Sequence, residues 1–188
     1  MDNNKKYIAL LTAIIENVED IQNTVECLLK ATPRATKLVP KPNQALATHA
    51  QHFIYYGLEE LGKFYLILDQ YDENLDDLDL KALKMGSHDA KIKYLVNFIL
   101  KTQVENGKQT QWANQTQEVI KSIRSFKEDN IYVNYKSGKI IKPIPNHGNN
   151  ILEARVSLLV KGIKLARATL QHFKIYPSQY IHKKMEIS

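Results

Sequence analysis

Two short stretches hold the residues best suited to chemistry, Gly57-Leu58-Glu59-Glu60-Leu61-Gly62-Lys63 and Ser87-His88-Asp89-Ala90-Lys91. Both fall where helical periodicity predicts otherwise apolar helices. Together they supply two carboxylates, two ammonium groups and an imidazole, which are costly to bury unless they pair or react. Glu59 or Glu60 with His88 would form an acid–base pair, and the lysines would supply positive charge to a phosphate or a developing anion. The same residues also suit a solvated face in which Glu59 and Lys63 form an i,i+4 pair worth about 0.3 kcal/mol.

At roughly 100° per residue, His49, His52, Tyr56, Glu59, Glu60 and Lys63 fall within about a third of the helix circumference. Leu46, Phe53, Ile54, Leu58, Leu61, Phe64 and Leu68 occupy a separate apolar side. Gly57 and Gly62 each cost about 1 kcal/mol against alanine in a helix interior, which points to another helix approaching closely. His88 and Lys91 share one face of the following helix and would meet the stripe if the two helices pack as an antiparallel pair. A metal reading, with His49, His52 and a glutamate as ligands, is disfavoured because Lys63 on the same stripe opposes a cation and cysteine ligands are absent. No metal or other cofactor is expected.

The elements that must position these groups are legible as periodicity. Ile8, Leu11, Ile14, Ile15, Val18, Ile21, Val25, Leu28 and Leu29 predict a first helix from about Asn4 to Lys30. Thr32-Pro33 and Pro40-Lys41-Pro42-Asn43 then form a connector, since proline disfavours helix for itself and for the residue before it. A second helix runs from about Gln44 to Tyr71, and the acidic stretch from Asp69 to Asp79 reads as a solvated loop lacking the glycine and final glutamate of a calcium-binding loop. The third helix begins with Ser87 as its cap and ends near Gly107, and a fourth covers roughly Thr110 to Lys127. Ile131-Tyr132-Val133-Asn134-Tyr135 and Ile140-Ile141-Lys142-Pro143-Ile144 flank Lys136-Ser137-Gly138-Lys139 and predict a hairpin. Asn149-Asn150 opens a last long helix, with Glu153 in capping-box position, and Pro177 ends it. The expected fold class is mainly α: one domain over residues 1–188, a bundle of about five helices with a small hairpin near 131–144.

The 188 residues are 44% hydrophobic, enough for one substantial core. A net charge of +6 allows weak attraction to polyanions without implying it. The lone cysteine, Cys27, lies in an apolar helical pattern and reads as a packed core thiol in a reducing compartment. No apolar run reaches the ~18 residues of a membrane span, and no signal-peptide core follows Met1-Asp2-Asn3-Asn4-Lys5-Lys6. The expectation is a soluble, cytoplasmic protein. Around the hairpin, Tyr132, Tyr135, Lys136, Lys139 and Lys142 make a mixed aromatic and basic surface suited to an acidic partner.

The run from Ala50 through Lys63, then Ser87-His88-Asp89-Ala90-Lys91, then Arg124 with Ile131-Tyr132-Val133-Asn134, resembles the AbiV family of phage abortive-infection proteins, which is similar to the wider HEPN class of helical domains. The resemblance implies a helical bundle, usually a homodimer, in a bacterial antiphage system that arrests the host. It also implies a phage-encoded protein as activator and translation or RNA as the eventual target. HEPN ribonucleases carry an arginine followed, after four to six residues, by a histidine, and two copies form a metal-independent RNA-cleaving site. Arg124 stands where the resemblance would place the arginine, yet no histidine follows it in that window. Arg167 and His172 match the spacing, but five residues on a helix turn them about 140° apart. Glu59, Glu60, Lys63, His88, Lys91 and Arg124 are thus the candidate polar cluster, as structural glue, a partner site or a divergent active site.

Overall fold

A computed structural model describes residues 3–31, 44–71, 87–105, 134–136, 139–141 and 149–180. Four helices are present among them: α1 (Asn3–Ala31), α2 (Gln44–Asp69), α3 (His88–Glu105) and α4 (Asn149–Ile175). A two-stranded antiparallel hairpin, β1 (Asn134–Lys136) and β2 (Lys139–Ile141), precedes α4, and a 3-10 turn, Pro177–Tyr180, follows it. The protein is therefore a mainly α helical bundle, and no described helix is long and apolar enough to cross a membrane. The expected connector at 32–43, most of the acidic loop, the predicted helix over 110–127, and Arg124, Tyr132 and Lys142 lie outside the described residues.

The helix ends match their sequence signals. Ser87 caps α3, its Oγ accepting from the Ala90 amide at 3.2 Å, and the predicted ends of α1 are met to within one residue. The hairpin is tighter than its sequence suggests. Lys136 pairs with Lys139 and Tyr135 with Ile140, so the register closes one residue nearer the tip on each strand than the flanking apolar runs imply.

α2 is the central helix. Ala50, Ile54, Tyr55, Leu58, Leu61, Phe64, Tyr65, Leu66, Ile67 and Leu68 are all buried, because α1, α3 and α4 pack around it. At the far end Tyr7 of α1, Tyr71 and Phe173 of α4 meet edge to face at 5.0 and 4.8 Å, and the Tyr7 hydroxyl donates to the Gln70 carbonyl. These contacts run α1 antiparallel to α2 and α4 along it. The antiparallel pairing expected of α3 does not occur. Glu59 meets His88, Gly62 meets Lys91, and Tyr65 stacks on Phe98 at 4.0 Å, so partner numbers rise together along both helices. The 70–87 segment permits this, since its extended reach of up to ~60 Å far exceeds the ~15 Å between Glu59 and Asp69 along α2.

Cys27 is exposed, contrary to the core position expected of it. The buried edge of α1 passes through Tyr7, Leu11, Ile14, Ile15, Val18 and Val25. Two residues beyond Val25, Cys27 is turned about 200° away from that edge.

Candidate functional site

The site is built on a close approach of two backbones. A Cβ at Gly62 would lie 1.9 Å from the Lys91 carbonyl oxygen, so α3 rests against α2 where α2 has no side chain. Gly57 plays a milder part, facing the side chains of Leu159 in α4 and Ile21 in α1. Both glycines predicted to admit a neighbouring helix do so, and the helices they admit belong to this same chain. Gly162 of α4 faces Leu61 in the same way, a third close approach not singled out from sequence.

With α3 fixed there, its first turn closes over Glu59. The Glu59 side chain is buried, 8% exposed, and its Oε1 is 2.6 Å from His88 Nδ1 and 3.1 Å from Lys91 Nζ. Glu60, one residue on, turns outward and pairs with Lys63 at 3.4 Å. The sequence suggested Lys63 as a partner of Glu59 and left either glutamate open as the partner of His88. The fold assigns His88 and Lys91 to Glu59 and leaves Lys63 to Glu60. Glu59, Glu60, Lys63, His88 and Lys91 thus converge between α2 and α3.

Burial would raise the Glu59 carboxyl, but the hydrogen bonds and charges of His88 and Lys91 outweigh it and hold the group below the ordinary carboxylate range. A carboxylate lowered on folding adds stability that is fully present above its unfolded value and is lost as pH falls through the folded one. Acidification from about pH 6 to about pH 3 should therefore lower the urea midpoint of the wild type more than that of Glu59→Gln. Equal losses in the two proteins would remove Glu59 from the acid response.

The geometry leaves a usable imidazole. The His88 side chain is 61% exposed while its Nδ1 is held by a buried carboxylate. When that nitrogen donates to Glu59, Nε2 becomes the acceptor, free to take a proton from a bound molecule. Lys91, 16% exposed, brings its positive charge to the same oxygen.

The alternative arginine and histidine do not meet. Arg167 pairs with Glu19 of α1, whereas His172 Nδ1 is 2.9 Å from the Tyr180 hydroxyl. Their separation agrees with the 140° offset. His49 and His52 stay near each other, with ring centroids 6.4 Å apart, and no group of three metal-ligating side chains forms among the described residues. Burial, then the neighbouring His49, lowers the His52 imidazole. Of the proposed partner surface, Tyr135, Lys136 and Lys139 take their places in the two strands.

Sequence reasoning missed Gln51. It is fully buried one turn after Ala47, and neither its Oε1 nor its Nε2 has a hydrogen-bond partner. Its position 8 residues before Glu59 on a helix buried on most sides is the only signal that marks it.

Compared with models of protein families, with curated proteins and with solved structures, the chain matches none.

Proposed function

We propose that this protein is an antiphage abortive-infection effector resembling the AbiV family, a homodimer that a phage-encoded protein switches on and that arrests host translation through its α2–α3 site. One observation carries the reading. The Glu-Glu-x-Gly-Lys and His-x-x-Lys elements on which the resemblance rests are 25 residues apart in sequence, counted from Lys63 to His88, yet meet around Glu59. Gly62 of the first element is the very point that admits the second. The reading takes the cluster as a surface that engages a partner, with His88, Lys63 and Glu60 at its edge.

A second reading, a metal-independent ribonuclease, is favoured by the exposed His88 ring held at Nδ1 by Glu59. There, Nε2 would take the proton of an RNA 2′-hydroxyl, and the freed oxygen would attack the adjacent phosphorus to give a 2′,3′-cyclic phosphate as the bond to the 5′-oxygen breaks. His88 would return the proton to that departing oxygen, and Lys91 or Lys63 would offset the charge on the phosphate. What stands against it is that no histidine follows Arg124 at the ribonuclease spacing, and that the one pair with that spacing, Arg167 and His172, is held apart.

One experiment distinguishes the two. Purified protein, with and without lysate from phage-infected cells, is incubated with total RNA and with a coupled translation reaction. Stalled translation on intact RNA, dependent on the infected lysate, is the expected result, and cleaved RNA would select the ribonuclease. His88→Ala, which removes an exposed ring, should leave the protein folded and abolish phage protection. Normal protection by a folded Glu60→Ala, Lys63→Ala double variant would sink the site.

A further inference from the structure

α4 carries five permanent cations, Arg155, Lys161, Lys164, Arg167 and Lys174, against one carboxylate, Glu153, near its start. From Ala154 to Ile175 it has no acidic residue, so this helix holds most of the chain's net charge of +6. α1 is the opposite case, interleaving Lys5, Lys6 and Lys30 with Glu16, Glu19, Asp20 and Glu26. Mixed signs solvate a helix; one sign attracts a polyanion.

Lys161, Lys164, Arg167 and Lys174 are exposed and fall within about 140° of the helix circumference. From Lys161 to Lys174 they span about 20 Å. Two carboxylates of α1 lie alongside. Glu19 pairs with Arg167, and Glu16 shares with Lys174 the edge of a cleft of about 180 Å³ between α1 and α4. Four cations against these two carboxylates leave the face a net charge of +2, carried by the three lysines.

The character of the face changes where α4 ends. Ile175 is 65% and Tyr176 48% exposed, two of the three exposed large apolar side chains among the described residues. The His172 ring lies 5.1 Å from Tyr176 and 5.8 Å from Tyr180, and Tyr180 is anchored edge to face on buried Phe173 at 5.3 Å. A row of cations leading to exposed rings matches the needs of a single strand, whose phosphates follow the charge while a base stacks on the aromatic end. A duplex would keep its base faces covered. Exposed Gln171, between Arg167 and Lys174, brings an amide oxygen able to accept from a 2′-hydroxyl, the group that distinguishes RNA from DNA.

We propose that the outer face of α4, from Lys161 to Tyr176, binds single-stranded RNA through its phosphates and one stacked base. The surface is separate from the Glu59 cluster, and the inference stands whether or not the proposed function does.

The test is fluorescence anisotropy with a labelled mixed-sequence single-stranded RNA across a salt series. Three lysine–phosphate contacts give a slope of log affinity against log salt of about −2. Lys161→Gln with Lys164→Gln should flatten it by about 1.4, whereas Lys5→Gln with Lys93→Gln, which removes the same net charge from exposed positions elsewhere, should leave it unchanged. Tyr176→Ala should weaken binding at least about fivefold at every salt concentration without altering the slope. All of these side chains are exposed, so circular dichroism melts matching the wild type are expected. Equal flattening by the two lysine pairs, equal affinity for the same sequence as DNA or as a duplex, or no binding at low salt would each overturn the proposal.

Discussion

Gly62→Ala should destabilise the protein by at least about 3 kcal/mol, lowering its Tm by roughly 10 °C. Helix propensity alone predicts the opposite sign, a gain of about 1 kcal/mol from replacing an interior glycine. Packing decides. The added methyl would sit 1.9 Å from the Lys91 carbonyl oxygen and 2.3 Å from its carbonyl carbon, which are backbone atoms with no rotamer to change. α3 would have to withdraw from α2, loosening the Tyr65–Phe98 stack and the contacts of Ile92, Leu95 and Val96. Gly57→Ala is the control, because its nearest contacts are the ends of the Leu159 and Ile21 side chains at 2.8 and 3.2 Å. It should stay within about 1 kcal/mol of wild type, strain and propensity nearly offsetting. Similar melting temperatures for Gly62→Ala and the wild type would mean that α3 does not rest on α2 at this point.

Glu59→Ala should cost about 3 kcal/mol, the second large effect. The substitution removes a buried carboxylate and strands Lys91, an ammonium only 16% exposed, without its partner. Breaking one side of a nearly buried pair costs more than the pair contributes net, because the remaining charge stays desolvated. Lys91→Met, which replaces that charge with a side chain of similar length, should therefore recover part of the loss when combined with Glu59→Ala. Urea unfolding of the two single variants and the double variant measures the coupling. Strict additivity would show that Lys91 relaxes into water and that the contact adds little. Glu60→Ala should change stability by no more than about 0.5 kcal/mol, because its pair with Lys63 is partly open to solvent.

Local signals, those that depend on a few neighbouring residues, were legible in the chain. The bounds of α1, the Ser87 cap of α3, the start of α4 near Asn149 and the hairpin around Gly138 all follow from periodicity, capping or turn chemistry. The glycines of α2 announced close approaches for the same reason, since a residue unfavourable to its own helix must be offset by something outside it. The divergence of Arg167 and His172 was also readable, as helix geometry alone turns them apart.

What the sequence by itself determined was therefore the mainly α class, the element ends and the short list of polar groups able to meet. Which glutamate meets His88 was decided only by tertiary structure. Glu59 and Glu60 differ by about 100° on a wheel where both fit the same stripe, and the choice depends on where α3 lies. That position is set by the contact of Gly62 with the Lys91 backbone and by α3 running along α2 rather than against it, two facts about residues distant in sequence. Cys27 and Gln51 were misread or missed for the same reason. Burial on a helix is conferred by neighbours, and α2 has them on nearly every side, while the last turns of α1 have them on one.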